Sequence, residues 1–190
     1  MYETVLDDER VLAGVDDAPR LLERLVAQRQ HRNPGEITIT HLCPTCGSTA
    51  HGAPAVDLSV FVSRSRSGRM HAAALSGVAR VGVDIESIER LARAPVDAVL
   101  LHPSETSAVS GLAGLARARQ LTRLWTAKEA ILKLVGVGLM IDPGQLRLEY
   151  HDNRFELIGW PGELDLASAP TLHSFNVSQD IVGTVAIATS

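Results

Sequence analysis

Apolar and polar positions alternate most cleanly over residues 81–86, where Val81, Val83 and Ile85 share one face and Gly82, Asp84 and Glu86 share the other. A period of two is the signature of a half-buried strand. One face of that strand can enter a core while the other presents two carboxylates side by side. The glycine beside them is expected to let a bulky ligand come close. Farther along, residues 120–135 contain neither Gly nor Pro, and Leu121, Leu124, Ile131, Leu132 and Val135 recur at helical spacing. In that helix Trp125, Glu129 and Lys133 stand four residues apart and so form one stripe. The run Gly136-Val137-Gly138-Leu139 ends it with permissive backbone.

The same periodicities predict the other elements. Residues 21–30, with Leu21, Leu22, Leu25 and Val26, read as a helix with a basic outer face. Residues 37–42 and 56–62 alternate as strands, and residues 71–75 and 80–86 suggest a hairpin turning at Ser76-Gly77. A polar, proline-containing stretch covers residues 87–114. Short strands follow near residues 146–150, 155–158, 172–177 and 181–188. The expected division is residues 1–85 and 86–190, an N-terminal and a C-terminal half, with the site in the cleft between them.

The chemistry carried by these patterns is that of a cation held against a pyrophosphate. Asp84, Glu86 and Glu129 are oxygen-only ligands from two elements, with room left for substrate phosphates, as magnesium prefers. Lys133, one turn beyond Glu129, can meet phosphate oxygens. The competing reading is structural: a solvated strand face and an exposed helix pair worth only about 0.3–0.5 kcal/mol.

The order V-G-V-D-I-E, then W-T-A-K-E-A-I-L-K and G-V-G-L, resembles the 4′-phosphopantetheinyl transferase superfamily, in particular its single-chain, two-half monomeric type that activates surfactin synthetase. The resemblance implies an α+β fold of two similar subdomains, each a small antiparallel sheet packed on a long helix, with coenzyme A between them. It implies transfer of the 4′-phosphopantetheine arm of coenzyme A to a serine of an apo carrier protein, the activity of a holo-[acyl-carrier-protein] synthase, with release of adenosine 3′,5′-bisphosphate. By resemblance Asp84, Glu86 and Glu129 ligate Mg2+, Lys133 contacts the pyrophosphate with Lys128 beside it, and Glu129 is the candidate general base. The alternative is a degenerate member that keeps fold and metal site but acts as a weak coenzyme A-binding or regulatory protein.

The N-terminal half carries further matches and departures. Asp17-Ala18-Pro19-Arg20 before a leucine-rich helix resembles the family's D-A-x-R element, which assigns Arg20 to a coenzyme A phosphate. The basic helical stretch usual before that element is replaced by a short acidic one. Ala53, in His51-Gly52-Ala53-Pro54, stands where the family has lysine. Ser63-Arg64-Ser65-Arg66-Ser67 lies where the family has S-H-S; arginine offers a fixed cation and a fork of donors for phosphate, and pattern does not choose between Arg64 and Arg66. For Cys43-Pro44-Thr45-Cys46, with His41 and His51 nearby, a structural loop ranks ahead of a zinc knuckle and a redox pair.

Composition narrows the class. Of 190 residues 45% are hydrophobic, enough for one sizeable core or two small ones, and with aromatics at 4% that core is built from Val, Leu, Ile and Ala. A net charge of −4 argues against nucleic-acid binding. No apolar run reaches membrane-spanning length and no basic region precedes an apolar stretch, so a cytoplasmic protein with no membrane partner is expected, and the resemblance implies a monomer. Arg90, Arg93, Arg117, Arg119 and Arg123 supply a moderate basic patch for an acidic acyl or peptidyl carrier protein.

Overall fold

The computed structural model describes residues 2–7, 10–43, 46–50, 52–152 and 154–189. Strands β1 (Glu3–Asp7) and β2 (Val11–Asp16) open the chain, followed by helix α1 (Leu21–Arg29) and the pair β3 (Ile39–Leu42) and β4 (Ala53–Val56). Strands β5 (Phe61–Ser67), β6 (Met70–Ser76) and β7 (Val81–Ser87) come next. Three short helices, α2 (Ile88–Ala92), α3 (Asp97–Leu100) and α4 (Thr106–Ser110), lead into the long α5 (Gly114–Val135). Strands β8 (Arg147–His151), β9 (Arg154–Gly159), β10 (Thr171–Asn176) and β11 (Ile181–Ile187) complete the fold.

Four layers result, in the order α1, sheet β1-β2-β6-β5, sheet β10-β11-β7, α5, with every strand pair antiparallel. This is the expected α+β architecture of two subdomains, each a small antiparallel sheet on a helix. Because side chains alternate across a strand, each sheet feeds two interfaces. Leu12, Ala73 and Leu75 meet Leu21, Leu22, Leu25 and Val26 of α1. Val11, Ala13, Val15, Ala72 and Ala74 point the other way, onto Val81, Val83, Ile85, Val185 and Ile187 of the second sheet. The opposite face of that sheet receives α5, whose Leu124, Ala127, Ala130, Ile131 and Leu134 are buried.

Several sequence expectations need revision. Residues 71–75 and 80–86 do not form a hairpin: β6 pairs with β2 and β5, whereas β7 pairs with β11 from Val81↔Ile187 to Ser87↔Ile181. The apolar face of β7 is buried on the N-terminal sheet while its ladder runs in the C-terminal one. Residues 56–62 are not one strand; the chain breaks between β4 and β5. The short acidic stretch that stands in place of the family's basic helix supplies β1 and most of β2, the latter buried at all six positions. Helix α5 begins at Gly114, six residues before the apolar period is evident.

Gly82 has a different purpose from the one expected. A Cβ there would lie 1.9 Å from the carbonyl oxygen of Ala130 and 2.6 Å from the Leu134 nitrogen. It admits the backbone of α5, not a ligand. At the far end of α5, Gly136 takes φ 87° and donates to the carbonyls of Leu132 and Lys133, a left-handed cap that suits glycine.

Candidate active site

A cleft of about 640 Å3 opens between the two halves, lined by Asp84 and Glu86 of β7, Trp125, Glu129 and Lys133 of α5, Arg64, Ser65 and Arg66 of β5, and Arg20 at the start of α1. Strand β7 brings Asp84 and Glu86 to the side facing α5, because its odd-numbered residues are committed to the core. The four-residue stripe of α5 then sets Glu129 and Lys133 over them.

Asp84 is buried. Its Oδ1 accepts from Lys133 Nζ at 2.6 Å and from the Ser65 hydroxyl at 2.6 Å, while its Oδ2 is buried without a hydrogen-bond partner. Glu129 is also buried, and its Oε1 likewise has none. Burial lifts the Glu129 carboxyl to about 7; the Asp84 charge adds to the rise and Lys133 opposes it. Burial also pushes Asp84 above its ordinary value, against the pull of Lys133 and Ser65. An unpartnered buried carboxylate oxygen is costly unless something else satisfies it. Two of them, from two elements, in one cleft, form a donor set suited to a hard cation.

Glu86 is engaged differently. Its Oε1 accepts from the Ser67 hydroxyl at 2.6 Å and from the Ser87 backbone N–H at 2.7 Å. Among the described residues no group of three or more His, Cys, Asp and Glu side chains is arranged to hold a metal. Asp84 and Glu129 each keep an unpartnered buried oxygen, while Glu86 Oε1 is already engaged.

The cationic wall is partly free. Lys133 uses two of its three donors, on Asp84 Oδ1 and, at 3.2 Å, on Ser65 Oγ. Arg64 and Arg66 are exposed on one face of β5, opposite Ala73 and His71, and among the described residues neither guanidinium forms an ion pair. Arg20 adopts φ 63° at the N-cap of α1, and its side chain bonds Glu23 at 3.2 Å and the Pro34 carbonyl at 3.4 Å. A left-handed non-glycine residue at a cleft rim is the kind of strain that accompanies functional positions.

Lys128 is not in the cleft, contrary to its expected place beside the pyrophosphate. It points to the other side of α5, fully buried, with Nζ 2.6 Å from Glu105 Oε2 and 2.7 Å from the Leu100 carbonyl. Glu105 also accepts from the backbone N–H groups of His102 and Leu148, at 2.9 and 2.8 Å. Burial lowers the Lys128 pKa and Glu105 resists that fall. One hundred degrees of helix rotation separate Lys128 from Glu129, which is why adjacent charges face opposite ways.

Sequence reasoning missed Glu105, Ser65, Ser67 and His71, which also lines the cleft. The signal for the serines was their alternation at 63, 65 and 67 on the face where a core strand would carry apolar residues. A second cavity of about 410 Å3, lined by Ala53, Pro54, Val62, Leu139 and Met140, shares Arg64 and Lys133 with the cleft. His51 and the Pro44-Thr45 pair lie outside the described residues, so a four-ligand zinc knuckle there has no geometry to report.

The chain is similar in part to solved holo-acyl-carrier-protein synthases. That of Neisseria meningitidis shares 21% identity over 58% of this chain and 97% of its own, with a TM-score of 0.49. That of Plasmodium yoelii shares 17% over 58% and 94%, with a TM-score of 0.46. No curated protein sequence matches the chain. The model of the 4′-phosphopantetheinyl transferase superfamily matches residues 80–186. That match spans β7 and α5, the two elements that bring the acidic and lysine side chains into the cleft, and more than half of the sequence, so the chain belongs to the 4′-phosphopantetheinyl transferase superfamily, whose chemistry is transfer of phosphopantetheine from coenzyme A to a carrier-protein serine.

Proposed function

We propose that this protein is a magnesium-dependent holo-carrier-protein synthase of the two-half monomeric type, acting in the cytoplasm on an acyl or peptidyl carrier protein. The observation that carries this reading is the pair of unpartnered buried oxygens, Asp84 Oδ2 and Glu129 Oε1, beside the Lys133 ammonium. The proposed halves are residues 1–85 and 86–190; the pairing of β7 with β11 favours a junction ahead of Val81.

In this reading the pyrophosphate of coenzyme A enters the cleft with Lys133, Arg64, Arg66 and Arg20 as its cationic wall. Asp84 and Glu129, with Glu86 adjacent, would hold Mg2+, which would neutralise charge on the phosphate oxygens. The carrier serine hydroxyl attacks the β-phosphorus. A new phosphoester bond forms as the bond to the bridging oxygen breaks, and adenosine 3′,5′-bisphosphate leaves. Glu129 accepts the hydroxyl proton, directly or through a water, a role supported by its position in the cleft lining. Lys133 keeps a third donor for charge that builds on the phosphate. Lys128 has no part in these steps, because its ammonium is fully buried in the C-terminal core on Glu105 and the Leu100 carbonyl.

The test is intact-mass analysis of an apo carrier protein incubated with the full chain, coenzyme A and Mg2+. A gain of one phosphopantetheine arm is expected, abolished by EDTA and lowered about 10²–10³-fold in Asp84→Ala or Glu129→Ala. No gain on any of several acyl and peptidyl carriers, from folded protein, would favour the degenerate reading.

A further inference from the structure

The two sheets that flank the cleft are joined at their edges by an unusual seam. The edge strand β5 of one sheet runs beside β7 of the other, yet the contacts between them are not a backbone ladder. Ser63, Ser65 and Ser67 of β5 project their hydroxyls onto the backbone N–H groups of Val83, Ile85 and Ser87, at 3.0, 3.3 and 3.1 Å. The offset is twenty residues at each rung, so three serines do for β7 what carbonyls of a neighbouring strand would do. Serine is suited to this: its hydroxyl accepts from an N–H and still has a proton to give.

Two of those protons go to the acidic site. Ser65 donates to Asp84 Oδ1 and Ser67 to Glu86 Oε1, each at 2.6 Å. Ser65 is then fully used: it accepts from Ile85 N–H and from Lys133 Nζ and donates to Asp84. With Lys133 on the same oxygen, Asp84 has one atom fixed from two sides and the other, Oδ2, left without a partner in the cleft. Ser63, the first rung, bonds Val83 N–H alone among these groups and touches no carboxylate.

We propose that Ser65 is a positioning residue of the acidic site: it occupies Oδ1 of Asp84 so that Oδ2 is presented to a divalent cation, with Ser67 doing the same for Glu86, and the seam between the halves thereby sets the geometry of the site. The cation part of this inference rests on the function proposed above; the Ser65–Asp84 linkage does not. Groups that orient metal ligands change affinity by about 10–100-fold when removed, whereas a seam bond elsewhere should change stability alone.

The experiment uses the full chain and has two arms. In the first, urea unfolding in EDTA compares Ser65→Ala in the wild type and in Asp84→Ala. The substitution is expected to lower the midpoint in the wild type and to have a clearly smaller effect once Asp84 is gone, a non-additivity that bonded neighbours show. In the second, Mn2+ uptake with coenzyme A present is followed by electron paramagnetic resonance. Ser65→Ala is expected to weaken it about tenfold or more, Ser65→Thr to restore it, and Ser63→Ala to leave it within about twofold despite a similar loss of stability. Additive effects in the first arm, or equal Mn2+ uptake by Ser65→Ala and Ser63→Ala in the second, would overturn the proposal. Wild-type protein that takes up no Mn2+ would sink the cation reading itself, and the first arm then decides the Ser65–Asp84 linkage alone. If Ser65→Ala proves too unstable to study, Ser65→Cys keeps the volume with a weak donor and takes its place.

Discussion

Two charged clusters share helix α5 and start from adjacent residues, yet they are built on opposite terms. On the inner side Lys128 and Glu105 are both buried and both Glu105 oxygens are bonded: Lys128 donates to Glu105 and to the Leu100 carbonyl, and Glu105 takes two backbone N–H groups besides. On the cleft side Asp84 and Glu129, beside Lys133, are under-supplied, with two buried carboxylate oxygens left over. The first cluster fastens α5 to the loop before α4 and to β8. The second has capacity for a ligand. Both clusters set a lysine against buried carboxylate; in the first every Glu105 oxygen is bonded and in the second two oxygens are not, and Lys133 is partly exposed where Lys128 is fully buried.

The comparison breaks most visibly at the Lys128–Glu105 pair. Lys128→Met strands a buried carboxylate, and a loss of about 3–5 kcal/mol in urea unfolding is expected, with Glu105→Gln in the same chain recovering much of it. Coenzyme A affinity of the folded fraction should not change. A loss below about 1 kcal/mol would show the pair to be solvated and the contrast unfounded.

The cleft should respond in the opposite sense. Glu129 is held near 7 in the folded protein against 4.5 for an ordinary glutamate, so its ionisation is resisted by folding. Metal-free protein is expected to lose stability as pH rises from about 4.5 past 7, because the unfolded chain releases that proton first. Glu129→Gln, still beside Asp84 and Lys133, should be more stable than wild type by about 2–3 kcal/mol at pH 8, with the gap gone below pH 4.5. Equal stabilities at both pH values would place Glu129 in contact with water.

A third pair sharpens the scale. Asp16, at the end of β2, accepts from the Ala18 N–H and lies 2.7 Å from Arg24 Nη1. Those contacts, the backbone bond foremost, hold its carboxyl down at about 2 instead of 3.8. Its contribution is present above pH 3.8 and lost as pH falls toward 2. Asp16→Asn is expected to cost about 1 kcal/mol at pH 7 and nothing near pH 2, read from urea midpoints at both values. Its Oδ2, like the cleft oxygens, makes no hydrogen bond, but it faces the partly exposed Arg24 guanidinium as an ion pair, so it is compensated by charge where Glu129 Oε1 is not.

Local periodicity made much of this legible. Alternation along residues 81–86 put Asp84 and Glu86 on one face, and four-residue spacing put Trp125, Glu129 and Lys133 on one stripe, because both depend only on backbone geometry within a single element. The same geometry made Ser63, Ser65 and Ser67 a face of their own strand. Which partner each face meets was decided by the assembled fold. Gly82 looked like room for a ligand and is room for the backbone of α5. Lys128 looked like a neighbour of Glu129 in function and is its opposite across the helix, since only packing says which side of α5 is buried against β8 and the loop holding Glu105. The bonds from Ser65 to Asp84 and from Glu105 to Lys128 join residues far apart in the chain, and no local period encodes such pairings. Spacing along the chain dictates which side chains share a face; the packing of distant elements dictates which faces meet, and hence which charges are satisfied and which are left for a ligand.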